Sequence, residues 1–311
     1  MLRKTIEIAS PGTRLSIAHR QLVIERPDQP KATLPIEDVG VVVVDDVRAT
    51  YTQAVFIELL EAGATVIVTS RDHLPAGMML PMDAHHVQTE RHIAQVEASE
   101  PTKKRLWQAL IRSKISLQGE VLRTFRGQDG GLIAMSRRVR SGDPDNLEAQ
   151  AAQRYWPRLF GCTFKRDRTA EGINALLNYG YAVVRAATAR AVVAAGLIPS
   201  LGVFHKNRSN PFCLADDLLE PYRPFVDWRV RLLIGDNEAT PPSLDLRPTR
   251  AALLSVFNET VHVEGRKMPF LLAIQSGAAS LCRALTGADK DLALPEGLPI
   301  QFAPDEEPGR E

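Results

Sequence analysis

The N-terminal quarter of the chain alternates between short apolar runs and turn-forming residues. Four runs rich in β-branched residues are separated by Pro, Gly and Asp, which predicts short strands at RKTIEIA, RLSIAH, QLVIE and ATLPI. The continuous apolar run VGVVVV predicts a buried strand, AVFIELLEAG predicts a helix, and ATVIVTS predicts a further strand. We therefore expect a mainly β N-terminal domain over residues 1–86.

From residue 87 onward, apolar residues recur every three to four positions, which is the helical period. The segments HVQTERHIAQVEA and TKKRLWQALIRSKISLQGEVLRTF predict two helices, the second with Thr102 as its N-cap. DPDNLEAQAAQRYWPRLFG predicts a helix that is capped by Asp143 or Asp145 and ends near Pro157. INALLNYGYAVVRAATARAVVAAG is long and rich in small residues, so we expect it to be the central helix.

Three further helices complete the pattern. Asn210 and Pro211 predict the start of a helix that continues to Glu220, and Pro221 should end or kink it. PFVDWRVRLLI and MPFLLAIQSGAASLCRALTG predict the other two. The predicted fold class is therefore α+β: the β-rich domain is followed by a larger all-α catalytic domain over 87–287. The Pro- and acid-rich segment 288–311 is expected to be a disordered tail.

Composition adds limits on class and location. The chain has 311 residues, which is long enough for two domains, and its 44% hydrophobic and 24% charged residues are typical of globular proteins. No run of uncharged apolar residues is long enough to span a membrane, and MLRKTIEIASPG does not have the pattern of a secretory signal. The three cysteines lie far apart and outside any CxxC, which argues against structural zinc and for a reducing, cytoplasmic location.

The net charge of +1 conceals a basic block between Lys103 and Arg140. This block carries ten Lys or Arg residues and only two acids, which favours a polyanion-binding face; a solvated helix surface is the alternative. Three aromatic residues in or beside the basic residues could stack on splayed bases or belong to the core: Trp107, Tyr155 and Trp156.

The stretch GVFHKNRSNPFCLADDLLEPYRP contains a candidate metal site. Asp217 and Glu220 are spaced i, i+3 and project from one helix face, and His205 lies in the loop before that helix. Glu148, on another predicted helix, could supply a further carboxylate. One imidazole with carboxylates suits Mn²⁺ or Mg²⁺ better than structural zinc. The alternative is a set of surface acids with a core histidine. Elsewhere in the chain, His73 has no acidic partner at ligand spacing.

Two long motifs carry a family resemblance. DPDNLEAQAAQRYWPRLFG and NALLNYGYAVVRAATARAVVAAGLIPSLGVFHKNRSNPFCLADDLLEPYRPFVD, in a chain of β-then-α order, resemble the CRISPR-associated integrase of spacer acquisition. The variant from systems with a single-protein RNA-guided effector nuclease is the most similar. The resemblance implies a metal-dependent DNA integrase and endonuclease. In that family, short DNA fragments are inserted into a CRISPR repeat array by attack of a 3′-hydroxyl on a phosphodiester.

The resemblance also implies site residues. Glu148, His205 and Glu220 take the roles of catalytic metal ligands for Mg²⁺ or Mn²⁺, and Asp217 takes that of an accessory acid. Basic residues near these ligands or in the basic region are the candidates for binding DNA phosphates: Lys206, Arg208, Lys165, Arg166 and Arg138.

The implied partners are double-stranded DNA with 3′-hydroxyl ends, CRISPR repeat DNA and copies of the chain itself. The β domain should form a homodimer, and two dimers should be bridged by a dimer of a small CRISPR-associated partner protein. Two alternatives belong to other classes. A metal-dependent hydrolase of a small phosphoester could use the same ligands but would not need the basic face. A DNA-binding scaffold would leave the acidic cluster without a function.

Overall fold

The computed structural model describes residues 3–27, 29–82, 85–235 and 240–299. Its N-terminal part contains every strand and helix that the apolar runs predict, together with two strands, β6 and β8, that they do not. In chain order the elements are β1 (Lys4–Ile8), β2 (Arg14–Ala18), β3 (Gln21–Glu25), β4 (Ala32–Pro35), β5 (Val39–Val44), β6 (Thr50–Tyr51), α1 (Gln53–Glu61), β7 (Thr65–Thr69) and β8 (Pro75–Met79).

These strands form two four-stranded sheets. The first has the order β1-β5-β7-β8, in which β1, β5 and β7 are parallel and β8 is an antiparallel edge strand. The second has the order β4-β3-β2-β6 and contains the β2–β3 hairpin, in which Arg14 pairs with Glu25. His19 and Arg20 connect the hairpin at φ values of 50° and 57°, the left-handed conformation that two-residue hairpin turns favour.

Strand β5 is buried on both faces, which explains its unbroken apolar run. Val41 and Val43 join a core formed with Ile67 of β7 and the helices that follow. Val42 and Val44 join a second core formed by the two sheets and α1. Side chains alternate between the faces of a strand, so one sheet serves both cores. The boundary that the sequence predicts after residue 86 therefore separates two regions that share a hydrophobic core.

The rest of the described chain is mainly helical. Its elements are α2 (Gln88–Glu97), α3 (Glu100–Arg126), α4 (Leu132–Arg138), α5 (Leu147–Phe160), α6 (Ile173–Ala194), α7 (Cys213–Leu219), α8 (Arg223–Ile234), α9 (Arg247–Leu254), β9 (Thr260–Val263), β10 (Arg266–Pro269) and α10 (Phe270–Leu285). The order of strands followed by a larger helical region confirms the predicted α+β class. In the described ranges, no helix combines the length and apolar character needed to cross a membrane.

Helix α6 lies at the centre, as its small residues predict. It is buried along most of its length and packs against α7, α8, α9 and α10. Gly180 allows α8 to approach closely, because a Cβ at this position would overlap Cγ1 of Val226. The small side chains of α6 thus let the surrounding helices converge on one axis.

Three predicted helix ends were wrong. Helix α3 is capped by Ser99, whose Oγ accepts a hydrogen bond from the Thr102 backbone N–H at 3.3 Å, so Thr102 is not the N-cap. Pro157 lies inside α5, which continues to Phe160 because its last turn is held in the core by packing. The N-cap position of α5 is Asn146 rather than Asp143 or Asp145, but the Asp143 carboxylate still accepts hydrogen bonds from the backbone N–H groups of residues 147 and 148.

Pro221 separates α7 from α8, as expected. Helix α7 ends at Leu219, residues Glu220–Tyr222 form a 3-10 turn, and α8 begins at Arg223. Asn210 precedes α7, and its Oδ1 accepts a hydrogen bond from the backbone N–H of Phe212 at 3.0 Å. The 3-10 turn packs against α3 and places Glu220 at the junction between α7 and α8.

The C-terminal region differs from the prediction in two ways. A short antiparallel hairpin, β9–β10, lies within the region predicted to be all α. The expected disorder of 288–311 was wrong for its first half, because Ala293 is buried and Pro295 pairs with Val263 in an isolated bridge. Apolar side chains of this segment have a core to bury against, which outweighs its Pro-rich and acidic composition. Residues 300–311 lie outside the described residues.

A buried ion cluster ties α9 to the first sheet. Arg250 Nε lies 3.0 Å from Glu7 Oε1 and 2.8 Å from Asp45 Oδ2. His73 Nδ1 lies 2.9 Å from the same Asp45 oxygen, so the expectation that His73 has no acidic partner was wrong. Burial raises the pKa of Glu7, although Arg250 opposes this shift. The cluster fixes the helical region against the carboxyl ends of β1 and β5.

Candidate metal and DNA site

Two of the three predicted metal ligands, Glu148 and Glu220, lie on either side of Lys114. The Lys114 Nζ is 2.6 Å from Glu148 Oε1 and 2.6 Å from Glu220 Oε2. Glu148 belongs to the first turn of α5, Glu220 follows α7, and Lys114 projects from the middle of α3. Three elements that are distant in sequence therefore bring the two carboxylates to opposite sides of one positive charge.

Glu220 is also held by a second cation. Arg223 Nε lies 3.0 Å from Glu220 Oε1, and the Glu220 side chain is only 5% exposed. Burial alone would raise the pKa of Glu220, but Arg223 and Lys114 together hold it well below its ordinary value. Burial likewise favours a lower pKa for Lys114, yet Glu220 and Glu148 raise it. The acid and the amine are therefore both charged at neutral pH.

His205 is oriented by Asp217. Its Nδ1 is 2.6 Å from Asp217 Oδ1, and the buried carboxylate also accepts the backbone N–H groups of Val203, Phe204 and His205 at 2.6, 3.1 and 3.2 Å. The hydrogen bond to Asp217 raises the pKa of His205, with partial burial acting in the opposite direction. Burial raises the pKa of Asp217, opposed by these hydrogen bonds. The Nε2 of His205 is then the ring nitrogen left to face a ligand.

Two further contacts hold the loop that carries His205. The amide of Gln95, which is buried, accepts the Ile198 backbone N–H at 2.8 Å and donates to the Ile198 carbonyl at 3.0 Å. The ring of Phe204 stacks on Trp107 with centroids 4.0 Å apart, and His205 meets Trp107 edge-on. The loop is thus anchored to α2 and α3.

The donor set fits a divalent cation of the Mg²⁺ or Mn²⁺ type. Two carboxylates and one imidazole are donors that Mn²⁺ accepts, and Mg²⁺ favours the carboxylates. In the described part of the chain, no three His, Cys, Asp or Glu side chains are arranged as ligands around a common point, and the Lys114 ammonium lies between Glu148 and Glu220. The two carboxylates already hold one positive charge between them, so these residue types suit a cation at this place.

The predicted DNA-binding residues fall into two groups. Four are exposed at the surface: Lys206, Arg208, Lys165 and Arg138. Arg166 is half-buried, and its guanidinium donates to Asn174 Oδ1 at 2.9 Å and Asn178 Oδ1 at 2.5 Å. Arg166 therefore holds the start of α6 in place, which leaves its side chain less able to reach a phosphate than the other four.

Most of the basic block is exposed, with Lys114 as a clear exception. The exposed cations are Lys104, Arg105, Arg112, Arg123, Arg126, Arg137, Arg138 and Arg140. Lys114 instead points inward to the two carboxylates. The sequence allowed either base stacking or core packing for Trp107 and Tyr155. They are 1% and 0% exposed, so both belong to the core. Trp156 is half-buried.

A buried aspartate connects the helices around this site. Asp227 of α8 accepts hydrogen bonds from the Tyr155 hydroxyl of α5, at 3.0 Å, and from the Tyr181 hydroxyl of α6. Burial raises the pKa of Asp227 to about 6, against the opposing effect of the two hydroxyls. Because α5 carries Glu148 and α8 carries Arg223, this cluster helps to set the spacing between them.

Replacing Asp227 by asparagine should change stability in a pH-dependent way. The raised pKa means that ionisation of Asp227 costs the native protein stability as pH rises from about 4 to about 6, whereas the variant has no such cost. The free energy of unfolding of Asp227→Asn, minus that of the native protein, should therefore increase by about 3 kcal/mol over this window and then level off. Urea unfolding at several pH values measures the difference.

Asp145→Asn provides a control of opposite sign. Asp145 is exposed, and the hydrogen bond from Arg140 lowers its pKa. Its ionisation therefore stabilises the native protein. As pH rises through the acidic range, the free energy of unfolding of Asp145→Asn minus that of the native protein should fall rather than increase. A difference for Asp227→Asn that does not vary with pH would contradict the raised pKa of Asp227.

The fold is shared with two solved structures. A structure described as "Casposase bound to integration product" superimposes with a TM-score of 0.75 at 20% identity, covering 93% of this chain and 92% of that chain. A "Cas6-RT-Cas1--Cas2 complex" gives a TM-score of 0.70 at 17% identity, covering 94% of this chain and 36% of the matched chain. At these identities the likeness establishes the class of fold.

Sequence comparison then establishes the family. The model of the family described as "CRISPR associated protein Cas1" matches residues 6–257. A CRISPR-associated endonuclease Cas1 of Neisseria meningitidis serogroup C (strain 8013) is 37% identical over 295 residues, covering 93% of this chain and 95% of its own. The chain belongs to the Cas1 family of CRISPR-associated proteins. The resemblance based on the two long motifs is thereby confirmed.

Proposed function

We propose that this chain is a divalent-metal-dependent DNA integrase and endonuclease of CRISPR spacer acquisition. It inserts short DNA fragments into a CRISPR repeat array by attack of a 3′-hydroxyl on a phosphodiester. The observation that carries the proposal is the placement of Glu148 and Glu220 around a buried positive charge, in a chain whose His205 is oriented by a buried acid. The names of two similar proteins, an endonuclease and a casposase bound to its integration product, support it.

In this proposal Glu148, His205 and Glu220 hold Mg²⁺ or Mn²⁺. Bound there, the cation supplies polarisation of the phosphodiester and offsets the charge that develops in the transition state. Arg223 keeps Glu220 ionised, since its guanidinium lowers the pKa of that buried carboxyl. Asp217 holds the ring of His205 through Nδ1, which leaves Nε2 for the ligand role.

The exposed cations provide the DNA-binding surface. Lys206 and Arg208 closely follow His205 in sequence, and both are exposed. They bind phosphates next to the reacting bond, while the exposed cations of α3 and α4 bind the duplex further away. Phosphate contacts release counterions, so DNA affinity falls steeply with added salt.

The proposed assembly follows the family. The chain forms a homodimer through its N-terminal sheets, and two dimers are bridged by a dimer of a small CRISPR-associated partner protein. Its substrates are double-stranded DNA with 3′-hydroxyl ends and CRISPR repeat DNA. The similarity to a chain of the Cas6-RT-Cas1--Cas2 complex supports a partner of the Cas2 kind. That this chain is the variant from systems with a single-protein effector stays a prediction.

Metal removal tests the proposal directly. Purified protein, with and without the small partner, is given a labelled short duplex with free 3′-hydroxyl ends and a plasmid that carries the repeat. Joining is expected in Mn²⁺ or Mg²⁺ and should fall by about 100-fold or more in EDTA, because the transition-state charge then loses its main counter-charge. Adding Mn²⁺ back should restore it. Gel analysis of labelled plasmid measures the joined product.

The same preparation separates the proposal from a small-phosphoester hydrolase. Affinity for the duplex, measured in parallel, should fall steeply between low and moderate salt if the exposed cations bind phosphates. Cleavage of a small phosphodiester without any joining, combined with weak and salt-insensitive DNA binding, would favour the hydrolase instead. Joining that is unchanged in EDTA would show that the metal-dependent part of the proposal is wrong.

A further inference from the structure

Lys114 lies between the two carboxylates that would hold a divalent cation. Its Nζ is 2.6 Å from one oxygen of Glu148 and 2.6 Å from one oxygen of Glu220. Its side chain is 12% exposed, so water screens these contacts only weakly. A cation that binds both carboxylates must therefore displace the ammonium group.

The backbone of Lys114 belongs to a packed helix, whereas its ammonium lies at the end of a flexible side chain. Lys114 lies in the middle of α3, on a helix face whose neighbours Leu110, Ile111 and Leu117 are buried. Helix α3 packs against α5 and against the 3-10 turn Glu220–Tyr222. The lysine carries its charge on a flexible four-carbon stem, which allows the ammonium to swing out while the helix stays in place.

The four charged groups in direct contact at this place carry no net charge together. Lys114 and Arg223 supply two positive charges, and Glu148 and Glu220 supply two negative charges. A divalent cation added to this set would leave two excess positive charges in a buried site, with Lys114 in direct repulsion. The excess falls if the ammonium leaves the cleft and pairs with another anion.

We propose, on the basis of the proposed function, that Lys114 is a positioning residue that competes with the divalent cation for Glu148 and Glu220. Through this competition it couples metal binding to DNA binding. Without DNA, the ammonium holds Glu148 and Glu220 in place and weakens metal binding. When DNA is present, a phosphate gives the displaced ammonium a new anionic partner, so metal and DNA bind more tightly together than separately. The site is thereby protected from loading before its substrate arrives.

Mn²⁺ titration of the full-length protein without DNA tests this inference. Lys114→Met removes the competing charge but keeps an apolar stem of similar length, so it should bind Mn²⁺ at least about tenfold more tightly than the native protein. Lys114→Arg keeps the charge and should stay within about threefold of native affinity. Calorimetry and Mn²⁺ electron paramagnetic resonance both measure binding without relying on activity. Structural damage would weaken metal binding, so a gain in affinity is specific to the inference.

DNA provides the second measurement. A short duplex with a 3′-hydroxyl end should raise the Mn²⁺ affinity of the native protein by about fivefold or more and that of Lys114→Met by less than about twofold. If Lys114→Met is unstable, the shift of its melting temperature with Mn²⁺ replaces calorimetry, and this shift should exceed that of the native protein. Equal or smaller shifts would overturn the inference.

Glu148→Gln separates failure of this inference from failure of the proposed function. This variant removes a proposed ligand but keeps Lys114, and it should lose Mn²⁺ binding. Native binding that Glu148→Gln abolishes, together with unchanged affinity in Lys114→Met, would overturn the role of Lys114 and leave the metal site intact. Absence of Mn²⁺ binding in the native protein and all variants, even with DNA present, would overturn both.

Discussion

Replacing Glu220 by glutamine is expected to reduce strand joining by about 1000-fold or more, with DNA affinity, measured in EDTA, within about twofold of the native value. The amide keeps the shape of the side chain but removes the negative charge that a divalent cation needs. A loss of this size corresponds to about 4 kcal/mol of transition-state stabilisation. The joining assay with the repeat-bearing plasmid measures it, under the metal conditions that give the highest native rate.

The environment of Glu220 makes a large effect expected. Its carboxylate is almost fully buried and touches two cations, Lys114 and Arg223. Removing one partner of a buried ion pair typically costs about 3–5 kcal/mol of stability, so the melting temperature must be measured beside activity. If Glu220→Gln unfolds at the assay temperature, Glu148→Gln gives the same test, because Glu148 is 26% exposed and its loss should cost less stability.

Glu120→Gln is the matched control. Glu120 is on α3 and forms a surface pair with Arg123 at 3.2 Å, so its substitution removes an equal charge outside the candidate site. Joining by this variant should remain within about twofold of native, as expected for loss of a surface pair. If Glu220→Gln keeps more than a tenth of native joining while folded, Glu220 is not a required metal ligand.

Sequence periodicity predicted the elements whose apolar residues have one clear repeat. Strands β5 and β7 bury most of their β-branched side chains, whereas β4 has no buried residue and only packs its half-buried Leu34 against the second core. Strand β8, with the sequence PAGMM, contains Pro and Gly and no β-branched residue, and it is a strand only because it pairs with β7. Pairing between distant segments is not visible in local sequence, which is why β8 and the β9–β10 hairpin were missed.

The candidate site was predicted less completely than the fold. Glu148 and Glu220 were recognised as acids of one site, but the sequence showed Lys114 only as one cation of the basic block. A local signal was available, because the residues three and four positions away from Lys114 are mostly apolar, and the structure buries all four of them. A lysine within the apolar stripe of a helix needs a buried acidic partner. Which acid becomes the partner of the lysine depends on how α3, α5 and α7 pack against one another.

Asp217→Asn is expected to lower joining by about 10- to 100-fold and to lower the free energy of unfolding by about 2–4 kcal/mol. The carboxylate accepts three backbone N–H groups as well as contacting His205 Nδ1. An amide offers one oxygen and directs an NH₂ group at donors that need an acceptor. The loop carrying His205 should therefore loosen, and the ring should lose its fixed orientation.

The neighbouring Asp216 provides a stringent comparison for this second effect. Asp216 pairs with Arg185 of α6, whereas Asp217 holds the His205 loop. Asp216→Asn removes the same charge from the same helix turn, yet joining should stay within about threefold of native, because the His205 loop keeps its hydrogen bonds to Asp217. Chemical unfolding and the joining assay, run on both variants, give stability and activity separately.

The comparison distinguishes positioning of His205 from simple stabilisation of the helix. If Asp217 acts only through stability, joining by Asp217→Asn should recover when the assay is run well below its melting temperature. If Asp217 orients His205, the loss persists in fully folded protein, and Mn²⁺ affinity falls with it because the imidazole is no longer held by Nδ1. Equal losses of joining in folded Asp216→Asn and Asp217→Asn would show that the acids act through α7 as a whole rather than through His205.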